Sequence, residues 1–236
     1  MQSGVPTNSM VVGVVLAGGF GTRMNVKNVR PASAGTCFKG SLRVAGVPII
    51  REVFRTVSEV FPRRIVSVGS IGSAYSRSLG GHPQIFRDAR RLGFDVVVDR
   101  YEGMGPLAGL DAALAHTGAP CFVLACDMPF ISSGLIRYMC GLLGEFDAVV
   151  PAYGGYIEPA FALYALAAAP HIKEHLAAGK RCLSSVLAGL KVRWVCSEEI
   201  ARFGEPRLLF FNVNTPEDLE EADRISELRK IEKTMY

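Results

Sequence analysis

The sequence predicts an α/β fold built on a mostly parallel central sheet flanked by helices. Short apolar runs of four to eight residues alternate with longer amphipathic segments, the pattern of repeated βαβ units. Proline stands at the opening of two of those amphipathic segments, where its missing N–H costs a helix nothing. No linker-like change of composition and no internal repeat divides the 236 residues. With 49% hydrophobic and 20% charged residues the chain has the material for a sizeable core, and disordered and collagen-like classes are excluded. Its longest apolar stretch, Pro159 to Pro170, ends after 12 residues, whereas a membrane span needs about 18. A soluble protein without a membrane anchor is expected.

Taken in order, Val11 to Ala17 is a continuous apolar run and reads as a strand buried on both faces. Leu42, Val44, Gly46, Pro48 and Ile49 read as a short strand, a turn and the start of the first helix, expected over Pro48 to Val60. Arg64 to Val68 and Phe94 to Val98 are the next strands, followed by a helix over Pro106 to His116 and the most apolar strand, Cys121 to Ala125. A helical segment begins near Ser132, and Ala148 to Pro151, Tyr156 to Leu163 and Leu208 to Val213 read as further strands. Asn214-Thr215-Pro216-Glu217-Asp218 supplies a Thr-x-x-Asp cap and a helix-opening proline for a last helix running to about Lys233. The domain reading is a flexible leader over residues 1–10, without the basic start of a secretory signal, and one domain over 11–236. Six cysteines without a C-x-x-C pair read as reduced core thiols, consistent with a cytoplasmic protein. Lys and Arg total 26 against 22 Asp and Glu, a formal charge of +4. The basic clusters are short and separate from aromatics, so anionic small molecules account for the excess without nucleic acid.

Chemistry concentrates where strands end. The first strand runs into Gly18-Gly19-Phe20-Gly21-Thr22-Arg23, a glycine-rich turn at a carboxyl edge where open α/β sheets place ligands. Glycines let backbone N–H groups approach phosphate oxygens, and the Arg23 guanidinium suits the same anion. The dinucleotide fingerprint fails because its third glycine would fall at Met24, and no Gly-Lys-Ser or Gly-Lys-Thr supports a Walker loop. A bare connecting turn remains the alternative. Asp127 directly follows the most apolar strand, a position poorly explained by packing, where a carboxylate can hold Mg²⁺ against a triphosphate; its bland reading is a cap for the helix near Ser132. Asp99, ending Val96-Val97-Val98, follows the same logic. Asn212 and Asn214 lie two apart on the expected last strand, hence on one face, although Asn214 could equally belong to the capped turn beside Thr215 and Pro216.

Five motifs in order make the chain resemble the molybdenum cofactor guanylyltransferases. They are Leu16-Ala17-Gly18-Gly19 with Arg23-Met24, Gly105-Pro106-Leu107-Ala108-Gly109, Cys126-Asp127-Met128-Pro129-Phe130, Glu158-Pro159-Ala160-Phe161-Ala162-Leu163-Tyr164, and Phe211-Asn212-Val213-Asn214-Thr215-Pro216-Glu217-Asp218-Leu219. The resemblance covers residues 11 to about 222. It implies a three-layer, Rossmann-like nucleotidyltransferase fold and transfer of GMP from GTP to molybdopterin with release of pyrophosphate. Leu16, Ala17, Gly18, Gly19 and Gly21 would contact the nucleotide, with Lys39 on the phosphates and Asp99 a further nucleotide contact. Asp127 would bind both nucleotide and Mg²⁺. Arg23, Lys39 and Asp127 form the implied catalytic set, and Glu158, Asn212 and Asn214 the acceptor side. GTP and molybdopterin are the implied partners, with transient contacts to molybdoenzymes or other cofactor-biosynthesis proteins, and neither nucleic acid nor membrane.

The chain departs from the family pattern in specific places. Sixteen positions separate Arg23 from Lys39, Asn25 stands where a glycine is usual, and Phe38 replaces the usual acidic residue before the lysine. The segment Asn25 to Thr36, with Lys27 and Arg30, reads as a phosphate lid or an insertion. Gly69-Ser70-Ile71-Gly72 lacks the asparagine that guanylyl-transferring members offer the nucleotide. A molybdopterin cytidylyltransferase, a sugar-phosphate or cobinamide-phosphate nucleotidyltransferase, and a non-catalytic nucleotide- or cofactor-binding relative therefore stay open as alternatives.

Overall fold

The computed structural model describes residues 10–17, 20–21, 37–69, 83–101 and 103–234. Its main sheet contains β1 (Val12–Leu16), β2 (Arg64–Val68), β3 (Asp95–Val98), β4 (Cys121–Ala125), β5 (Ala148–Tyr153), β6 (Tyr156–Ile157), β7 (Phe161–Tyr164) and β8 (Val192–Val195). The order across it is β3-β2-β1-β4-β7-β5, with β6 and β8 also paired to β5. Strands β3, β2, β1 and β4 are parallel, and β7 runs antiparallel to both of its neighbours. Parallel pairing requires a crossover between strands, which α1 (Ile49–Val60) supplies from β1 to β2 and α3 (Gly105–Thr117) from β3 to β4. Because β2 and β4 flank β1 on opposite sides, the chain reverses its winding there. The carboxyl ends of β1 and β4, in register at Leu16 and Ala125, open the crevice that such a reversal leaves.

All five residues of β1 are buried, since helices cover both faces. On one face Val15, Val66, Phe122 and Leu124 pack with α1, α2 (Pro83–Arg91) and α4 (Ser133–Cys140). On the other, Val14, Leu16, Ile65 and Val123 pack with α3 and α5 (Ala169–Ala177). Three layers result, as expected. The contact of α1 with β1 depends on Gly13, where a Cβ would come within 2.5 Å of Phe61 and 2.7 Å of Val57. Aromatic rings continue that core toward the crevice: Phe122 meets Phe161 edge-on at 5.2 Å, Phe161 meets Phe210 at 5.3 Å, and Phe210 stacks on Tyr153 at 5.0 Å.

Several elements differ from the sequence reading. Pro48 caps α1 with extended backbone, and the helix starts at Ile49. The expected strand over Tyr156 to Leu163 is split at Glu158-Pro159-Ala160, where proline has no N–H for the ladder. Leu208 to Val213 is no strand: a short helix, α7 (Pro206–Leu209), gives way to irregular chain. Its buried residues are Leu209, Phe210 and Val213, a spacing that strand alternation cannot produce. Strand β8 replaces it in the sheet; its mixed sequence, Val-Arg-Trp-Val, gives a weak strand signal. The short helix α6 (Ser197–Ala201) follows it, and the last helix, α8 (Pro216–Thr234), forms as expected. Cys121, Cys126 and Cys140 are buried free thiols, but Cys182 and Cys196 are exposed, so the reading of all six as core residues fails for those two. The leader residues 1–9 and the segment 25–36 lie outside the described residues. No helix among the described residues is long and apolar enough to cross a membrane.

Candidate active site

A cleft of about 360 Å³ lies at the carboxyl ends of β1 and β4, and Leu16, Lys39, Ser67, Asp99, Asp127 and Glu158 all line it. Six segments distant in sequence are thus gathered, five of them carried by strands of the main sheet or the turns after them, and Lys39 from outside it. Ala17, which follows Leu16, is buried, and its N–H donates to the Ser67 carbonyl at 2.8 Å. Gly21 sits in a two-residue ribbon opposite Cys37, which joins the turn after β1 to the segment carrying Lys39. Gly18, Gly19 and Arg23 lie outside the described residues.

Lys39 opens a 3-10 turn, Lys39–Ser41, and reaches across the cleft. Its Nζ donates to Asp127 Oδ2 at 3.1 Å and to the Asn214 side-chain oxygen. The two charged side chains are only 17% and 14% exposed, so their attraction is far less screened than that of a surface pair. Asp127 is further held by its carbonyl, which accepts from Val213 N–H at 3.0 Å. It caps nothing: Ser132 Oγ accepts from Leu135 N–H and itself caps α4. The last helix is likewise capped without Asn214, because Thr215 Oγ1 accepts from Asp218 N–H while the Asp218 carboxylate accepts from Asn214 and Thr215 N–H. That division of labour frees the Asn214 amide for Lys39. Asn212 also lines the cleft, its amide donating to the Phe210 carbonyl. The pair shares a site through an irregular segment, rather than through one strand face.

Asp99 follows β3 and is 8% exposed, with Ser67 Oγ donating to its Oδ1 at 2.5 Å. Burial raises the carboxyl to about 6, and the serine hydrogen bond acts in the opposite direction. Arg100 beside it reaches back to the buried Asp111 of α3 at 3.0 Å, fixing the segment. Across the cleft, burial raises Glu158 to about 7; the Tyr153 hydrogen bond lowers it and the nearby Asp127 charge raises it further. The stacked Phe210 ring fixes Tyr153, so the aromatic core ends in a phenol that orients a carboxyl in the cleft. Cys126 lies in the wall, but burial drives its thiol far above the usual range and removes it as a nucleophile. Ser67 and Tyr153 escaped the sequence reading: a lone serine inside β2 and a tyrosine at the end of β5 carry no motif.

No group of three or more His, Cys, Asp or Glu side chains suited to a metal occurs among the described residues. Oxygen donors nevertheless converge, since the Asp127 and Glu158 carboxyls feel one another and the Asn212 amide lines the same cleft. A hard cation such as Mg²⁺ is commonly held by one or two carboxylates and completed by substrate phosphates, and this donor set fits that requirement.

A crevice at a sheet reversal, with a lysine bonded to an aspartate at its centre, suits an enzyme of the nucleotidyltransferase class, and comparison with known proteins shows that class. Residues 13–194 match the model of the MobA-like NTP transferase domain. The chain belongs to that family. A probable molybdenum cofactor guanylyltransferase of Pelotomaculum thermopropionicum is 35% identical over 216 residues, covering 91% of this chain and 93% of that one. The molybdenum cofactor guanylyltransferase of Serratia proteamaculans is 27% identical, with 88% and 91% covered. Among solved structures, the molybdopterin-guanine dinucleotide biosynthesis protein A of Archaeoglobus fulgidus superposes with a TM-score of 0.69 at 26% identity, covering 92% of this chain and 98% of that one.

Proposed function

We infer that the protein transfers GMP from GTP to the terminal phosphate of molybdopterin and releases pyrophosphate. The observation that carries this reading is the Lys39–Asp127–Asn214 cluster at the β1/β4 crevice, and the names of the relatives support the choice of substrates. An oxygen of the acceptor phosphate attacks the α-phosphorus of GTP; that P–O bond forms, the bond from the α-phosphorus to the bridging oxygen breaks, and pyrophosphate leaves with the electron pair. The acceptor is already an anion, so positioning and charge neutralisation, rather than a strong base, lower the barrier.

Lys39 turns from Asp127 to the triphosphate when the nucleotide arrives and offsets charge on the leaving pyrophosphate, together with Arg23. Leu16 and Ala17 seat the nucleotide, and the amides of Gly18, Gly19 and Gly21 orient its phosphates. Asp99 contacts the nucleotide at the far side of the cleft. Asp127 would hold Mg²⁺, with Glu158 and Asn212 beside it; the ion would supply charge neutralisation to the phosphates. Glu158, Asn212 and Asn214 face the acceptor. The product then passes, in the cytoplasm, to molybdoenzymes or other cofactor-biosynthesis proteins through transient contact. The test is pyrophosphate release from GTP that requires both molybdopterin and Mg²⁺ and is lost in Asp127→Ala. Release with CTP and none with GTP would reassign the protein to cytidylyl transfer, and nucleotide binding without release in either case would make it a non-catalytic relative.

A further inference from the structure

Asp99 and Ser67 form a buried polar pair in the wall of the cleft, set apart in sequence from the Lys39–Asp127 cluster. The surrounding wall is apolar: Leu16 and Pro106 line it, and Gly109 of α3 packs directly against the pair. A Cβ at Gly109 would lie 3.0 Å from both Leu16 Cδ2 and Ser67 Oγ and 3.5 Å from Asp99 Oδ1, so a side chain there would have to push the first two aside by a few tenths of an ångström. Asp99 Oδ1 is occupied by the serine hydroxyl at 2.5 Å, and no second hydrogen bond to the carboxyl is seen among the described residues. A largely apolar wall carrying a carboxyl whose Oδ1 is already taken by a hydroxyl suits the edge of a planar base, whereas the charged cluster suits phosphates. This assignment rests on the nucleotidyl-transfer reading above.

We propose that Ser67 is a specificity-positioning residue, which by engaging Oδ1 of Asp99 presents Oδ2 as an acceptor to the N1–H and 2-amino donors of guanine. The chemistry discriminates between bases. An ionised carboxyl accepts from guanine, while the N3 lone pair of cytosine is repelled by it and needs a protonated acid instead. The serine hydrogen bond favours the ionised form, and burial opposes it. Ser67 therefore acts on both the direction and the charge of the carboxyl, and takes no part in the transfer itself.

The test is equilibrium binding of GTP, ITP and CTP to the full-length protein between pH 5 and 8, with wild type, Ser67→Ala and the near-isosteric Asp99→Asn. Wild type is expected to prefer GTP to ITP, which lacks the 2-amino group, by about tenfold, the effect of one charge-assisted hydrogen bond. Relative to CTP, which shares the titration of the phosphates and of Glu158, GTP binding should weaken on acidification with a midpoint near 6, where Asp99 takes up its proton. In Ser67→Ala the preference should shrink to about twofold, and the midpoint should rise by about one pH unit because the hydrogen bond that favours ionisation is gone. Asp99→Asn should lose both the preference and the part of the acid limb that CTP does not share. A Ser67→Ala protein in which all three nucleotides weaken in parallel with an unmoved midpoint would overturn the proposal, as would an unchanged GTP preference in Asp99→Asn. Absence of GTP binding by wild type would overturn the nucleotide reading itself.

Discussion

Replacing Lys39 with methionine keeps the length of the side chain and removes its charge from the centre of the cleft. Two opposite effects follow from the geometry. Loss of a charge-assisted contact to the triphosphate, about 1.5 to 3 kcal/mol, lowers kcat/KM for GTP by about 10- to 100-fold. Meanwhile Asp127 loses the cation that sits 3.1 Å from its Oδ2. At an effective dielectric of about 20 that attraction is about 5 kcal/mol gross, of which desolvation and side-chain entropy leave about 1 to 2. A divalent cation no longer has to displace the lysine, so Mn²⁺ should bind the nucleotide-free variant about 5- to 30-fold more tightly than wild type. Pyrophosphate release gives the first quantity and the EPR signal of free Mn²⁺ the second. Activity within about threefold of wild type, together with unchanged Mn²⁺ affinity, would refute the idea that Lys39 guards the carboxylate until nucleotide arrives.

Asp127→Asn should lower the transfer rate by about 10² to 10³, because the amide holds a metal poorly, while losing the ion pair with Lys39 lowers the melting temperature by only about 2 to 8 °C and leaves the protein folded. Asp99 gives stability a pH dependence. Its carboxyl rises from 3.8 to about 6 on folding, so its contribution is fully present below about pH 4 and is lost as pH rises through about 6, a difference of about 2 to 3 kcal/mol that urea unfolding should detect in wild type and miss in Asp99→Asn. Gly13→Ala drives a methyl group to within 2.5 Å of Phe61; a cost of about 1 to 3 kcal/mol should lower the melting temperature by about 3 to 10 °C, with transfer at low temperature retained.

Much of this architecture is legible in the sequence because the buried parallel strands are nearly pure apolar runs. Arg64–Val68 and Cys121–Ala125 form with the bounds their composition suggests. Asp127 and Asp99 are recognisable for the same reason, as carboxylates directly after such runs. The Leu208 to Val213 segment misleads because Phe210, Phe211 and Val213 satisfy strand propensity, while tertiary packing of Leu209, Phe210 and Val213 and the helix-opening Pro206 prevail. Strand β8 hides behind Arg193 and Trp194, both partly exposed at the sheet edge. Within the site, the Thr215–Asp218 cap is readable from spacing, but the release of Asn214 toward Lys39 emerges only when the loop after Phe210 folds beside Asp127. Ser67 and Tyr153 act through neighbours 32 and 5 positions away, and spacing along one chain does not announce such partnerships.

The most direct test of the account is the reaction itself, run with purified protein, molybdopterin, Mg²⁺ and either GTP or CTP. The expected result is pyrophosphate and a guanine dinucleotide formed in equal amounts from GTP, with neither product when Mg²⁺ or molybdopterin is left out. Pyrophosphate from CTP alone, or tight nucleotide binding with no pyrophosphate from either nucleotide, would contradict it.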